Sequence, residues 1–281
     1  MPSESTLKKI LNFTKVEHTA FSLPLIFTGA WMGAGDRFPS ARVMLLIVVA
    51  AVGARVFGMS MNRVLDRRID LLNPRTAGRE LPSGKMSLAL AIAVTLSGVL
   101  VYLLACAALN DWCLILSPIP LVPLLGYSLL KRFTPLCHFG IGLCLALAPL
   151  GAFVAAAGHP RFPVTVLLFS GFVFFWLSGA DIIYAMMDIE SDRRNHIHSL
   201  PARLGAGGAQ RVAGAVHLLC WMILVGVVWL MGGGGPLAWT ALFITAVFLL
   251  MMYIPAIPVP KRFFPISTLA GIAGALVPMV A

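Results

Sequence analysis

Residues 62–84 read Asn-Arg-Val-Leu-Asp-Arg-Arg-Ile-Asp-Leu-Leu-Asn-Pro-Arg-Thr-Ala-Gly-Arg-Glu-Leu-Pro-Ser-Gly, between one long apolar run near 41–61 and another near 87–109. Asn62, Asp66 and Asp70 are spaced four apart. If the helix of the preceding run continues through them, they form one oxygen-rich stripe, because side chains at i and i+4 share a face. Residues 181–201, Asp-Ile-Ile-Tyr-Ala-Met-Met-Asp-Ile-Glu-Ser-Asp-Arg-Arg-Asn-His-Ile-His-Ser-Leu-Pro, repeat the idea. Asp188 and Asp192 are again four apart, arginines follow, and Leu200-Pro201 answers Leu81-Pro82.

Around these stretches the chain is overwhelmingly apolar. Of its 281 residues 59% are hydrophobic and 11% charged, against about 25% charged in a soluble domain. Such a chain cannot cover a water-facing surface, which implies an integral membrane protein in a lipid bilayer. Runs long enough to span fall at approximately 18–35, 41–61, 87–109, 112–130, 137–157, 163–184, 210–231, 236–256 and 264–280. The expected fold is all-α: a polytopic membrane helical bundle of about nine transmembrane helices, forming one domain over 1–281. A short basic amphipathic segment at about 5–16 is expected to lie at the interface.

The net charge of +10 does not point to nucleic acid, because no soluble basic domain exists to bind it. Lys and Arg concentrate instead in alternate connections: the N-terminus, the 62–86 loop, Lys131 and Arg132, the 185–211 loop, and Lys261 and Arg262. Arg37, Arg42 and Arg161 fall to the other side, and Arg55 lies within a span. The positive-inside rule then puts the N-terminus and both acidic stretches in the cytoplasm of a bacterial-type inner membrane. The rule is nearly indifferent to Asp, so the acids need a separate explanation. The five cysteines have no C-x-x-C spacing and read as packing residues. His18, His138, His159 and His217 lack metal-ligand spacing and read as interfacial or packing residues.

Mg²⁺ prefers carboxylate oxygen and commonly bridges to substrate phosphates. Asp66 with Asp70, and Asp188 with Asp192, are therefore candidate ligands for ions on a diphosphate. Asn62 adds a neutral oxygen or an amide donor. Arg67, Arg68, Arg75, Arg79, Lys131, Arg132, Arg193 and Arg194 suit the remaining phosphate charge. A single D-x-x-x-D is more simply a solvated helix end paired with arginines. Two of them, each ending a span on one side and each leading to Leu-Pro, argue for a shared site.

The paired stretches resemble the two signatures of the UbiA superfamily, the intramembrane aromatic prenyltransferases. The first resembles N-x-x-x-D-x-x-x-D followed by R-T-A-x-R-x-L-P-S-G, carried by Asn62, Asp66, Asp70 and Arg75 to Gly84. The second resembles D-x-x-Y-A-x-x-D-x-x-x-D, carried by Asp181, Tyr184, Ala185, Asp188 and Asp192. Tyr127 with Lys131-Arg132 fits as well. Many members have an acid directly after the Asn, where this chain has Arg63, and Gly and Lys where it has His196 and His198. His198 would replace the lysine-like phosphate contact only when protonated. The resemblance is closest to the 4-hydroxybenzoate polyprenyltransferase branch, especially a bacterial subgroup with Glu-His-Thr near the start, here Glu17-His18-Thr19.

The resemblance implies Mg²⁺-dependent transfer of a polyprenyl group from a polyprenyl diphosphate to a ring carbon of an aromatic acid, in quinone biosynthesis. The acceptor is of the 4-hydroxybenzoate type or, for menaquinone, a dihydroxynaphthoate. Arg67, Arg75, Arg79, Lys131, Arg132, Arg194, His198, Asn62 and Tyr184 are the expected substrate contacts. Asp181 lies seven residues before Asp188, near the same face and deeper in the membrane. It is the candidate for orienting the phenol or taking the ring proton, unless it pairs structurally with Tyr184 or Arg55. Arg55, seven before Asn62, would bind pyrophosphate or the acceptor's carboxylate, or pair with Asp181. An ion-coupled transporter is the rival from another class, but transporter charges sit near the midplane. A phospho-alcohol transferase would need a D-G-x-x-A-R signature, which is absent.

Overall fold

The computed structural model describes residues 5–281, and every regular element among them is helical. Helix α1, Thr6–Thr14, lies within the 5–16 segment. The Ser5 hydroxyl caps it by accepting from the Lys8 N–H at 3.3 Å. Leu7 and Leu11 stay exposed, while Phe13 is buried against Met86, Ala91 and Val94. Lys15, in the left-handed region at φ 48°, ends the helix and turns the chain into the bundle.

Next come α2 (Thr19–Gly33), α3 (Ala41–Leu72) and α4 (Leu88–Leu109). Helix α3 runs 32 residues without a break, straight through the first acidic motif. It crosses α4 at Gly53 and Gly98. A Cβ on Gly53 would meet the Tyr102 N at 2.6 Å, so only glycine lets these backbones touch. The proline-rich fourth run divides into α5 (Asp111–Leu116) and α6 (Pro118–Leu130). Pro118 has no N–H to continue the ladder. The Tyr102 hydroxyl donates to the Ser117 carbonyl beside the break, at 3.2 Å.

Helices α7 (Cys137–Ala157) and α8 (Val164–Tyr184) follow, then a 3₁₀ turn over Ala185–Asp188 and the short α9 (Ile189–Arg194). Helix α10, Leu200–Leu230, begins ten residues before the expected span. Ser199 caps it, Pro201 occupies its first turn, and Gly205 at φ 71° interrupts it. The five residues before Gly205 include Pro201 and Arg203 and are too few for a membrane run, so hydrophobicity alone does not find them. Helix α11 (Pro236–Met251) precedes the C-terminal helix, Val259–Val280, which carries a π-helical turn at Arg262–Ile266 around Pro265.

With α5 and α6 taken as one span, seven helices among the described residues are long and apolar enough to cross a membrane. Two further helices in the expected set are shorter, α2 with 15 residues and α11 with 16. The exterior is itself apolar: Leu96, Leu100 and Leu104 of α4 and Leu237, Phe243 and Leu250 of α11 are exposed. That surface suits lipid, not water. Besides the small cluster around Phe13, two larger buried cores form, one from α8, α10, α11 and the C-terminal helix, the other chiefly from α2, α3, α4 and α7.

Candidate active site

A cavity of about 1160 Å³ opens among the helices. One end is acidic and basic, lined by Asp66, Asp70, Asp188, Asp192, Arg75 and Lys131. The rest is mainly apolar and reaches residues such as Ile47, Cys106 and Phe162. The two acidic motifs, distant in sequence, thus face one space.

The α3 stripe forms as the spacing requires: the Asn62 amide donates to Asp66 Oδ2 at 2.9 Å, across one helical turn. Lys131, at the end of α6, donates to the same oxygen at 2.6 Å. Asp66 Oδ1 is buried without a hydrogen-bond partner. The Arg79 guanidinium reaches both oxygens of Asp70 at 2.9 Å. Arg75 crosses to the second motif and forks onto Asp188, with Nε to Oδ1 at 2.9 Å and Nη2 to Oδ2 at 2.5 Å. Its Nη1 donates to the Tyr184 hydroxyl at 3.2 Å, and the guanidinium lies 5.3 Å from the Tyr184 ring centre. Burial alone would lower the Arg75 pKa, but the hydrogen bonds and charge of Asp188 more than offset it and hold the pKa above its ordinary value. Asn73 also donates to Asp188, at 2.7 Å, and Ser199 donates to Asp192 at 2.8 Å.

Deeper in the cavity, Asp181 pairs with neither Arg55 nor Tyr184. Its Oδ2 lies 2.7 Å from His138 Nδ1, and His138 Nε2 accepts from the Leu200 N–H at 3.4 Å. An accepting Nε2 leaves the proton on Nδ1, so His138 donates to Asp181. The expectation that His138 only packs is corrected by this bond. Arg55 also lines the cavity, with its Nε buried and unpartnered. His18 lines the cavity as well, its ring 4.9 Å from that of Phe264.

Not every expected contact reaches the cavity. Arg67, Arg194 and His198 do not line it. Arg194 and His198 are exposed, and the His198 backbone N–H is tied to the Lys131 carbonyl at 2.7 Å. Arg132 is also off the wall: it donates to the Leu65 carbonyl at 2.7 Å and stays 3.8 Å from Asp66. Helical rotation explains Arg67, which follows Asp66 and so points about 100° away from it. Sequence reasoning missed Asn73, His138 and Ser199. Only Ser199 carried a local signal, a cap residue before Leu200-Pro201.

No three His, Cys, Asp or Glu side chains among the described residues form a ready metal cage. Magnesium needs none: it is commonly held by one or two carboxylates, with waters and phosphate oxygens completing the shell. The donor set here is hard oxygen, and Asp66 Oδ1 has no hydrogen-bond partner among the described residues. These residues fit such an ion.

The fold and site together define a helical integral membrane protein with an acid-lined internal cavity. Residues 22–257 match the model of the UbiA prenyltransferase family, and the chain belongs to that family. It is similar to the 4-hydroxybenzoate octaprenyltransferase of Photobacterium profundum, 29% identical over 223 residues, covering 78% of this chain and 77% of that one. The enzyme of the same name from Yersinia enterocolitica is 27% identical, covering 87% and 85%. Among solved structures, the apo form of a UbiA homologue from Aeropyrum pernix K1 is 33% identical with a TM-score of 0.78, covering 94% and 95%. A UbiA homologue from Archaeoglobus fulgidus bound to DMAPP and Mg²⁺ shares the fold at TM-score 0.69 and 19% identity, covering 97% and 100%.

Proposed function

We propose that this protein transfers a polyprenyl group from a polyprenyl diphosphate to a ring carbon of a 4-hydroxybenzoate-type aromatic acid, with Mg²⁺, in quinone biosynthesis. The observation that carries the reading is the Arg75 fork on Asp188, which ties the two acidic motifs across one cavity. The whole chain acts as one intramembrane domain, with α2 and α11 as the eighth and ninth crossings. The Lys and Arg bias puts the N-terminus and the site on the cytoplasmic side of the inner membrane.

Asp66, Asp70, Asp188 and Asp192 would hold magnesium, which when bound supplies charge stabilisation for the departing pyrophosphate. Lys131, Arg79 and Arg75 now neutralise three of those carboxylates. In the loaded site these cations turn to phosphate oxygens and stabilise the charge that develops as the allylic C–O bond breaks. Tyr184 holds Arg75 in position, and Asn62 orients Asp66. The apolar walls bind the tail and keep water from the allylic cation. Asp181, fixed by His138, orients the phenol and takes the ring proton. Arg55, on the same cavity wall with its Nε unpartnered among the described residues, meets the acceptor's carboxylate.

The test is to incubate membranes containing the protein with labelled polyprenyl diphosphate and Mg²⁺, offering 4-hydroxybenzoate or dihydroxynaphthoate separately. A prenylated hydroxybenzoate is expected. No lipid product from either acceptor would remove the reading.

A further inference from the structure

One charged pair at the head of the cavity has no part in the reaction just described. Arg63 and Glu80 both line the wall beside Asp66, Asp70 and Arg79. Arg63 is only 6% exposed, and its Nε and Nη1 are buried without a hydrogen-bond partner. Among the described residues its one ion-pair partner is Glu80 at 3.9 Å, and Glu80 Oε2 is equally buried and has no hydrogen-bond partner there. A buried ion pair is tolerated when hydrogen bonds satisfy its remaining protons and lone pairs. Arg79 on Asp70 and Arg75 on Asp188 meet that condition. Arg63 has a counter-charge within reach but donates no hydrogen bond from Nε or Nη1 to any described residue.

The helix places Arg63 three residues before Asp66 and seven before Asp70, on the face that carries the first motif. A guanidinium there is a fork of donors aimed at a space already lined for an anion. The position directly after Asn62, acidic in many relatives of this family, is thus cationic in this chain.

We propose that Arg63 is a phosphate contact of this site, with Glu80 as its internal counter-charge. When the diphosphate enters, the guanidinium exchanges a distant carboxylate for a hydrogen-bonded phosphate oxygen. Glu80 then competes with the ligand for Arg63. The inference rests on the diphosphate reading above, and it gives the two halves of one ion pair opposite effects on affinity.

The experiment is a titration of the detergent-purified full chain with inorganic pyrophosphate in the presence of Mg²⁺, for wild type, R63M, R63K and E80Q. R63M is expected to weaken binding by about tenfold to a hundredfold, the usual effect of losing a charged hydrogen bond. R63K should fall between R63M and wild type. E80Q should tighten binding, since it frees the guanidinium. A merely structural pair would lower thermal stability in both R63M and E80Q without tightening either. Unchanged affinity in R63M, or weaker affinity in E80Q, overturns the proposal. If R63M does not fold, R63K binding as well as wild type overturns it instead. A wild-type protein that takes up no pyrophosphate sinks the diphosphate reading itself, whereas wild-type binding that ignores Arg63 sinks this inference alone.

Discussion

His138 Nδ1 lies 2.7 Å from Asp181 Oδ2, joining α7 to α8 inside the cavity wall. Because His138 Nε2 accepts from Leu200, the imidazole is held as a Nδ1 donor and one carboxylate oxygen of Asp181 is committed. Asn can place its amide nitrogen near the Nδ1 position, while Leu cannot donate. We therefore expect H138L to lower kcat by roughly 10- to 100-fold, the scale of a misoriented catalytic group, with the KM for the prenyl diphosphate unchanged. H138N should recover much of the loss. Steady-state kinetics in detergent check this; equal losses in both variants would refute the orienting role.

Arg75 reaches Asp188 and Tyr184 from an exposed position in the loop after α3. R75M should raise the KM for prenyl diphosphate by about tenfold or more, because a charge-assisted contact is worth roughly 1.5–3 kcal/mol. Y184F should have a smaller effect of the same sign, since it removes only the hydroxyl that Arg75 contacts. A larger effect from Y184F than from R75M would show that the tyrosine has a separate task.

Metal dependence separates the carboxylates from the surrounding cations. Chelation should abolish prenyl transfer, and added Mg²⁺ should restore it. D66N and D188N should each lose on the order of 100-fold in kcat or more, with part of the loss recovered at high Mg²⁺. Normal turnover by both variants at low Mg²⁺ would rule out these residues as ligands.

The α3–α4 crossing supplies a test of packing. G53V places a side chain against the Tyr102 backbone, where even a Cβ would lie 2.6 Å from its nitrogen. Overpacking of this kind costs about 1–3 kcal/mol. A lower thermal unfolding midpoint in detergent is expected, and an unchanged midpoint would mean that the helices separate freely.

Local periodicity made much of the bundle legible. The apolar runs gave most of the helix positions, and fourfold spacing gave the Asn62–Asp66 contact, because both depend on the helical repeat. Helix α10 was only partly legible: its first turns carry no long apolar run and are set by Ser199, Pro201 and the break at Gly205. Arg67, Arg194 and His198 looked like site residues because their charge and position suited one. Direction around a helix axis, or exposure in a loop, keeps them off the cavity wall.

By itself, the sequence determined that the chain is a membrane-embedded helical protein and that two acidic motifs with nearby cations suit a metal-bound diphosphate. These follow from composition and from spacing along single helices, which short-range geometry controls. Only the tertiary structure decided which charges meet: Lys131 on Asp66, Arg75 on Asp188, His138 on Asp181, and Arg63 left with a distant Glu80. Those pairings join separate helices and loops, so they depend on how close-packed small residues and proline breaks set each helix against its neighbours.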